Sequence, residues 1–373
     1  MSSKKQVQKL EVTDYKKICQ VKDFSDYKKG RLQENSFYIV KKPEILKLIP
    51  PQNSPLGQKI PKKCSTQEFY LASINHALCM ENQIILYNNK LLPDSFRHYG
   101  LLSAHRSLRY NGTTNSFNLT KKKKEKISWL PGDSLFLSGE FSEEYGHFLL
   151  EVVSRLWIMD FIDTSQFKFI MNPSDNQLWQ LDFLKALGIK EKQIVYLHQP
   201  TICERLHIPV QSFVLRKYTS TLAHKTWKKI GDYYDTGVGP EKIYVSRSKL
   251  KNKRRLLVNE VEVEELFHSL GFHIIHPQEL SLSNQINYFR NAKFIAGPSG
   301  SAMYNCVFEK KSVKKLILAS ETFFKMNDIF INTSTKGQLS YFIGKTIDAN
   351  KPAVRAEWLV QLGKLKKLLK EFD

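Results

Sequence analysis

Apolar and polar positions follow two rhythms along this chain. From about residue 63 to 140 the apolar positions come in short alternating stretches. Gln83-Ile84-Ile85-Leu86-Tyr87 running into Asn88-Asn89 predicts a strand that ends in a turn. Beyond that, runs of strand length alternate with segments of helical period. The pattern predicts a helix from His147 to about Asp160, a buried strand at Phe167-Lys168-Phe169-Ile170, and a helix through Trp179 to Leu187 closed by Gly188 at its C′ position. Ile194-Val195-Tyr196 resumes as a strand. The second half repeats the rhythm: a strand at Lys242-Ile243-Tyr244-Val245-Ser246, a helix capped by Asn259 and stopped at Gly271, and a strand at Phe272-His273-Ile274-Ile275. A helix beginning at Ser281 or Ser283 follows, then a strand at Lys293-Phe294-Ile295-Ala296 that runs into Gly297-Pro298-Ser299-Gly300-Ser301. After a further helix comes the strand Lys315-Leu316-Ile317-Leu318, and Trp358 to Leu369 has apolar residues at helical spacing with a Lys-rich opposite face. Strand–helix alternation of this kind predicts an α/β fold, with a parallel sheet covered by helices on both faces.

Breakers divide the pattern. Residues 1–62 are Lys-rich and end in Pro50-Pro51-Gln52-Asn53-Ser54-Pro55 and Pro61, which predicts an N-terminal extension. Residues 63–235 form a first α/β domain, 236–350 a Rossmann-like domain, and 351–373 an amphipathic C-terminal helix. A chain of 373 residues is long enough for two cores.

Composition adds one strong feature. The 57 Lys and Arg against 36 Asp and Glu leave a net charge of +21, a field that attracts nucleic acid, an anionic membrane face or phosphorylated substrates. No apolar run approaches the roughly 18–20 residues that span a bilayer, and the N-terminus lacks the apolar segment of a signal peptide. The expected location is the cytoplasm, with the anionic inner leaflet as an electrostatic docking surface. Five scattered cysteines, without metal-ligand spacing, predict reduced and mostly buried thiols. The run Lys121-Lys122-Lys123-Lys124 reads as a solvated loop.

Three places concentrate polar groups that a core would reject. In Tyr145-Gly146-His147-Phe148-Leu149-Leu150-Glu151 and on to Arg155, spacings of four put His147, Glu151 and Arg155 on one helical face, leaving Leu149, Leu150, Val153 and Leu156 for burial. A base that takes a hydroxyl proton needs a tunable pKa and a fixed orientation, which His or Glu beside Arg supplies. A solvated salt-bridge ladder fits the same spacing. The second place is Ser246-Arg247-Ser248-Lys249 with Lys253-Arg254-Arg255, just beyond a strand's carboxyl end, where open parallel sheets bind ligands. Arginine forks suit diphosphate there, and an exposed basic loop is the alternative. The third is the Ser299-Gly300-Ser301 turn, which brings small residues and helix amides to a strand end. It is no serine-hydrolase elbow: Ser301 replaces the second glycine and no histidine follows His276. With no D-x-D pair to chelate a metal–diphosphate, cationic side chains and amides would have to neutralise a departing diphosphate, so no metal and no cofactor are expected.

Taken in order, these segments resemble the family-61 glycosyltransferases of the bacterial capsular polysaccharide type, over roughly residues 65–320. Tyr145-Gly146-His147-Phe148-Leu149-Leu150-Glu151 with Arg155 is similar to a Y-x-H-W-L-x-E helix. Ile243 to Arg247, Arg254-Arg255 and Asn259-Glu260 are similar to a Y-I-S-R…R-R…N-E block. Gly271-Phe272, Ala292 and Gly297-Pro298-Ser299-Gly300 through Asn305 are similar to a G-F…A…G-P-H-G-A…N segment. Phe148 stands in place of Trp, and Ser299 in place of His, so no imidazole role carries over to position 299. The resemblance implies a GT-B architecture, two Rossmann-like domains facing across a cleft, and inverting transfer without an obligatory metal. The donor would be a UDP- or CMP-linked nucleotide sugar and the acceptor a growing surface glycan, free or lipid-linked, with a polysaccharide assembly complex as a further partner. In that scheme Glu151 serves as base with His147 as its partner, the reverse assignment staying open. Arg247, Lys249, Arg254, Arg255, Ser299, Gly300 and Ser301 hold the donor; Tyr145, Arg155 and Asn305 support or contact the acceptor. A basic nucleic-acid-binding protein and a non-catalytic assembly scaffold are the competing readings; no helix-turn-helix, zinc-finger or RNA-recognition pattern supports the first.

Overall fold

The computed structural model describes residues 9–29, 34–53, 60–97, 105–120, 126–174, 178–251, 254–310, 312–348 and 350–370. The Lys121–Lys124 run and Lys253 lie outside them. The chain divides into two compact units, Met1–Glu44 with Thr66–Leu215, and Ile45–Ser65 with Arg216–Asp373.

This division differs from the expected boundaries at four points, one being that residues 351–373 join the second unit, with Trp358–Leu359 a strand and only Leu362–Lys370 helical. Residues 1–62 form no unit of their own: Glu11–Val12 pairs with Lys90–Leu91, and Ser36–Lys41 pairs with Phe69–Met80, both within the first unit's sheet. Lysines dominate that segment's composition, but Leu10, Tyr15 and Phe37 are buried and complete the first core. Ile45–Ser65 goes instead to the second unit, where the Gln52 N–H donates to Leu339 O at 2.8 Å. The helix Thr221–Tyr234, capped by the Ser220 hydroxyl, also belongs to the second unit, because Trp227 and Ile230 are buried there.

The first unit holds a ten-stranded mixed sheet. Its parallel half comprises Ile194–Tyr196, Lys168–Met171, Ser128–Phe136 and Thr201–Pro209, and its antiparallel half is built on the long strand Phe69–Met80. Only the parallel half follows the Rossmann-like expectation. At the carboxyl end of Ser128–Phe136 the chain turns into Tyr145–His147, then a π segment, Phe148–Val152, then a 3-10 segment, Val153–Asp160.

The second unit is the doubly wound half. Its strands lie in the order His273–Ile275, Lys242–Val245, Phe294–Pro298, Lys314–Ser320, Gln338–Thr346, all parallel, with Trp358–Leu359 antiparallel at the edge. Counted along the chain this is order 2-1-3-4-5. One face packs Tyr244, Ala296, Leu316, Leu318 and Phe342 against Val263 and Phe267 of one helix and Leu365 and Leu369 of the C-terminal helix Leu362–Lys370. The alternate positions Ile243, Ile295 and Ile317, buried toward the other face, follow from the two-residue strand period. The strand order runs outward in both directions from the first strand, so it reverses between Lys242–Val245 and Phe294–Pro298. That gap is the topological switch point where ligands bind in open α/β sheets.

Candidate functional site

In the second unit the two loops leaving the switch point carry the predicted donor residues. Gly297 lets the strands come together: a Cβ there would lie 2.7 Å from Val245 O and 3.0 Å from Val245 Cβ. Arg247 follows one strand, with its backbone N–H held by Glu260 Oε1 at 2.6 Å. Its guanidinium spans the gap, donating from Nη1 to Ser299 O at 3.3 Å and from Nη2 to Arg254 O at 2.9 Å. Arg255 approaches from the same side. A Cβ added at Gly300 would sit 3.5 Å from Arg247 Nη1 and 3.5 Å from Arg255 Nη2, so the bare glycine leaves open the spot that both forks face.

Beside it is a niche of about 10 Å3 lined by Arg247, Arg255, Ser299, Phe323 and Trp358. That is the volume of a single water or a single phosphate oxygen. Ser299 Oγ and Arg255 Nε are buried without a hydrogen-bond partner among the described residues. Orphaned buried polar atoms cost about 1–3 kcal/mol each, and two of them belong to residues that line this niche.

The charge around the niche is unbalanced. Burial, then the neighbouring Arg247 and Arg254, lower Arg255 to about 10. Burial, then Arg216 and Arg255, lower Lys325 to about 8. Both cations lie over the Phe323 ring, at 4.2 and 4.4 Å. The nearby carboxyls do not compensate fully: burial raises Glu260 to about 7 and Asp328 to about 7. Cations crowded enough to lower one another's pKa favour a polyanion.

Four predicted donor or supporting residues stand elsewhere. Lys249 turns to Glu279, with Nζ 2.9 Å from Oε2 in an exposed pair. Arg254 is exposed and contributes its carbonyl rather than its side chain. Asn305 is wholly buried, donating to Gln285 Oε1 at 3.3 Å. Ser301 is exposed and opens the 3-10 helix Ser301–Phe308. Asn259 sits at the predicted cap position but does not cap; its side chain exchanges two hydrogen bonds with the Val360 backbone.

In the first unit His147 and Glu151 meet, His147 Nδ1 lying 2.7 Å from Glu151 Oε2. Their cation is not Arg155. Arg97, 54 positions upstream of Glu151, donates from Nε to both of its oxygens at 2.9 and 3.1 Å, and its Nη2 lies 2.9 Å from His147 Nδ1. Arg97 also stacks over Phe141, 4.7 Å from the ring centroid, while Phe141 lies 5.4 Å from the His147 ring. Arg155 is only 1% exposed and pairs instead with Asp94 Oδ1 at 2.6 Å and Pro209 O at 2.6 Å. The π and 3-10 turns between the two residues abolish the 3.6-residue period on which the shared face depends. Neither a solvated ladder nor a common His147–Glu151–Arg155 face exists. Tyr145 packs against Trp179 and Phe183, at 5.4 and 5.9 Å.

Glu151 is 4% exposed. Burial raises its pKa, but the His147 bond and the Arg97 charge outweigh it, and the carboxyl ends below its ordinary value. In the tautomer with its proton on Nδ1 the imidazole donates to Glu151 and leaves the Nε2 lone pair free; in the other, Nδ1 accepts from Arg97 Nη2. The His147 side chain is 26% exposed, with Nε2 3.6 Å from Glu144 Oε2. Of the pair, His147 alone offers a basic atom to solvent.

A carboxylate-oriented imidazole and a cationic niche at a switch point are the parts of a group-transfer enzyme, and the chain is a glycosyltransferase. The family model it matches is that of Glycosyltransferase 61, over residues 145–316, a span that opens at the His147 turn and closes within the strand after the Ser299-Gly300 loop. No curated protein matches the chain.

Proposed function

We propose that this chain is an inverting, metal-independent enzyme that moves a sugar from a nucleoside diphosphate sugar onto a surface glycan. The observation that carries the donor class is the oxygen-sized niche between Arg247, Arg255 and the unpartnered Ser299 Oγ. Two forks and a glycine-lined approach suit two linked phosphates better than the single phosphate of a CMP-linked donor, so of the two expected nucleotides the UDP type fits. Charge on the departing diphosphate is neutralised by Arg247 and Arg255 in place of a chelated metal. Turnover that persists in excess EDTA is expected; turnover abolished by EDTA refutes metal independence.

In this reading the first unit supplies the proton acceptor and the second the leaving-group cradle, the division of labour of a GT-B enzyme. His147 Nε2 takes the acceptor hydroxyl proton. The oxygen attacks the anomeric carbon, and the bond to the diphosphate breaks in the same displacement, inverting the centre. Glu151 holds the Nδ1 proton and steadies the imidazolium, and Arg97 fixes Glu151. This reverses the roles given to Glu151 and His147 from sequence: a buried, ion-paired carboxyl with a lowered pKa is a poor base. The capsular, lipopolysaccharide or similar identity of the acceptor rests on motif resemblance. So do any lipid linkage and any assembly complex.

The test is a panel of nucleotide sugars incubated with the protein and scored for released nucleotide and for transfer. Release of UDP with His147→Ala at least a hundredfold slower supports the reading. No turnover of any donor overturns it.

A further inference from the structure

The first unit contains a hollow of about 430 Å3 that the reaction above does not use, lined by Glu81, Asn82, Arg106, Glu143, Asn172 and Ser174 among others. It opens at the carboxyl end of the parallel strand Lys168–Met171, again the ligand-binding edge of such a sheet. Its floor is rigid. Asn172 donates to Gly139 O at 2.6 Å and Ser142 Oγ at 3.1 Å, and accepts from Ser138 Oγ at 2.5 Å and the Asn82 N–H at 3.1 Å.

One wall is shared with the His147 site. Arg106 donates to Glu140 O at 2.9 Å and to Glu143 Oε1 at 2.5 Å, and its guanidinium lies 4.9 Å from the centroid of Phe141. Phe141 is the same ring that Arg97 and His147 contact. Glu144, one residue past the Glu143 wall, approaches His147 Nε2. The hollow therefore neighbours the His147 site across the Phe141 ring.

The charge of the lining selects the occupant. Arg106 is committed to Glu143, which leaves Glu81 as an exposed carboxylate and no uncommitted cation among the described lining residues. Carboxylates and amides accept and donate to hydroxyls, whereas a carboxylated or phosphorylated group would meet like charge. The volume falls within the range of small-ligand sites.

We infer that this hollow holds the uncharged terminal sugar of the glycan acceptor, which rests on the transferase reading for its role but not for its binding. Two variants test it. Ser174→Trp fills the hollow and is expected to raise the acceptor KM at least tenfold while the donor KM stays within twofold. Glu81→Lys places a cation on the wall and is expected to shift binding from neutral disaccharides toward their uronic-acid counterparts, a change that loss of folding cannot produce. Binding of both sugar classes is read by saturation-transfer NMR without donor, so absent turnover would defeat the transferase reading while the hollow is still tested. Neutral and uronic disaccharides bound equally by the native chain, or an acceptor KM and NMR signal untouched by Ser174→Trp, overturn the inference.

Discussion

Arg247 bonds both loops of the switch point and faces the niche, which makes it the most demanding residue of the account. Arg247→Ala is expected to cost on the order of 2–4 kcal/mol of transition-state stabilisation, about two to three decades in kcat/KM. Arg247→Lys should recover little, because an ammonium cannot replace a fork that reaches Ser299 O and Arg254 O together. Steady-state kinetics on the two variants check this, and near-native rates in the lysine variant would remove the geometric argument. His147→Ala should slow transfer by roughly 10²–10⁴-fold, the usual contribution of general-base catalysis, with a milder loss in Glu151→Gln. The sequence made His147, Glu151, Arg247 and Gly300 legible because each stands at a strand end or on a helical turn with a local pattern. Arg97 carried no such pattern. Its pairing with Glu151 is fixed by how distant segments come together in space, which no local spacing encodes.

Among elements, the turns were the most legible. Gly188 and Gly271 have φ of +83° and +79°, the left-handed region that ends helices at glycine, and Asn88 and Asn89 turn with φ of 47° and 60°. The segment after Tyr145 was legible as helical but not in its hydrogen-bond period, and that single error moved Arg155 from the site to the core. As one half of a buried ion pair, Arg155 gives a stability prediction rather than a kinetic one. Arg155→Ala strands Asp94 in the interior and is expected to cost about 3–5 kcal/mol in denaturant unfolding. The two glycines of the donor loop should separate cleanly. Gly297→Ala drives a Cβ into Val245 O and destabilises the fold, whereas Gly300→Ala meets only ordinary contacts, folds normally and weakens donor binding by occupying the approach. Calorimetric titration with UDP beside thermal melts distinguishes the two.

For the whole molecule, the positive charge is concentrated rather than spread. The second unit holds 31 Lys and Arg against 15 Asp and Glu, a net +16, and the first holds 26 against 21, a net +5. That asymmetry places the field on the unit proposed to bind a polyanion, and the same field supports docking to an anionic membrane face. It also fixes the sign of a pH effect. Between about pH 6 and 8.5, Asp328 and Glu260 ionise from values of about 7 while Lys325 loses its proton from about 8. All three changes make the niche less positive, so UDP affinity should fall as pH rises across that window. Composition showed the net charge, but only the fold showed which unit carries it.

The central claim is that Arg247, Arg255 and Ser299 form a diphosphate site. Thermal stabilisation by UDP-sugars tests it most directly. At about a hundred times its dissociation constant a donor should add about 2.7 kcal/mol of stability to the native chain, and little to Arg247→Ala or Arg255→Ala. Full stabilisation of both variants, or none of the native chain by any nucleoside diphosphate sugar, would contradict the account.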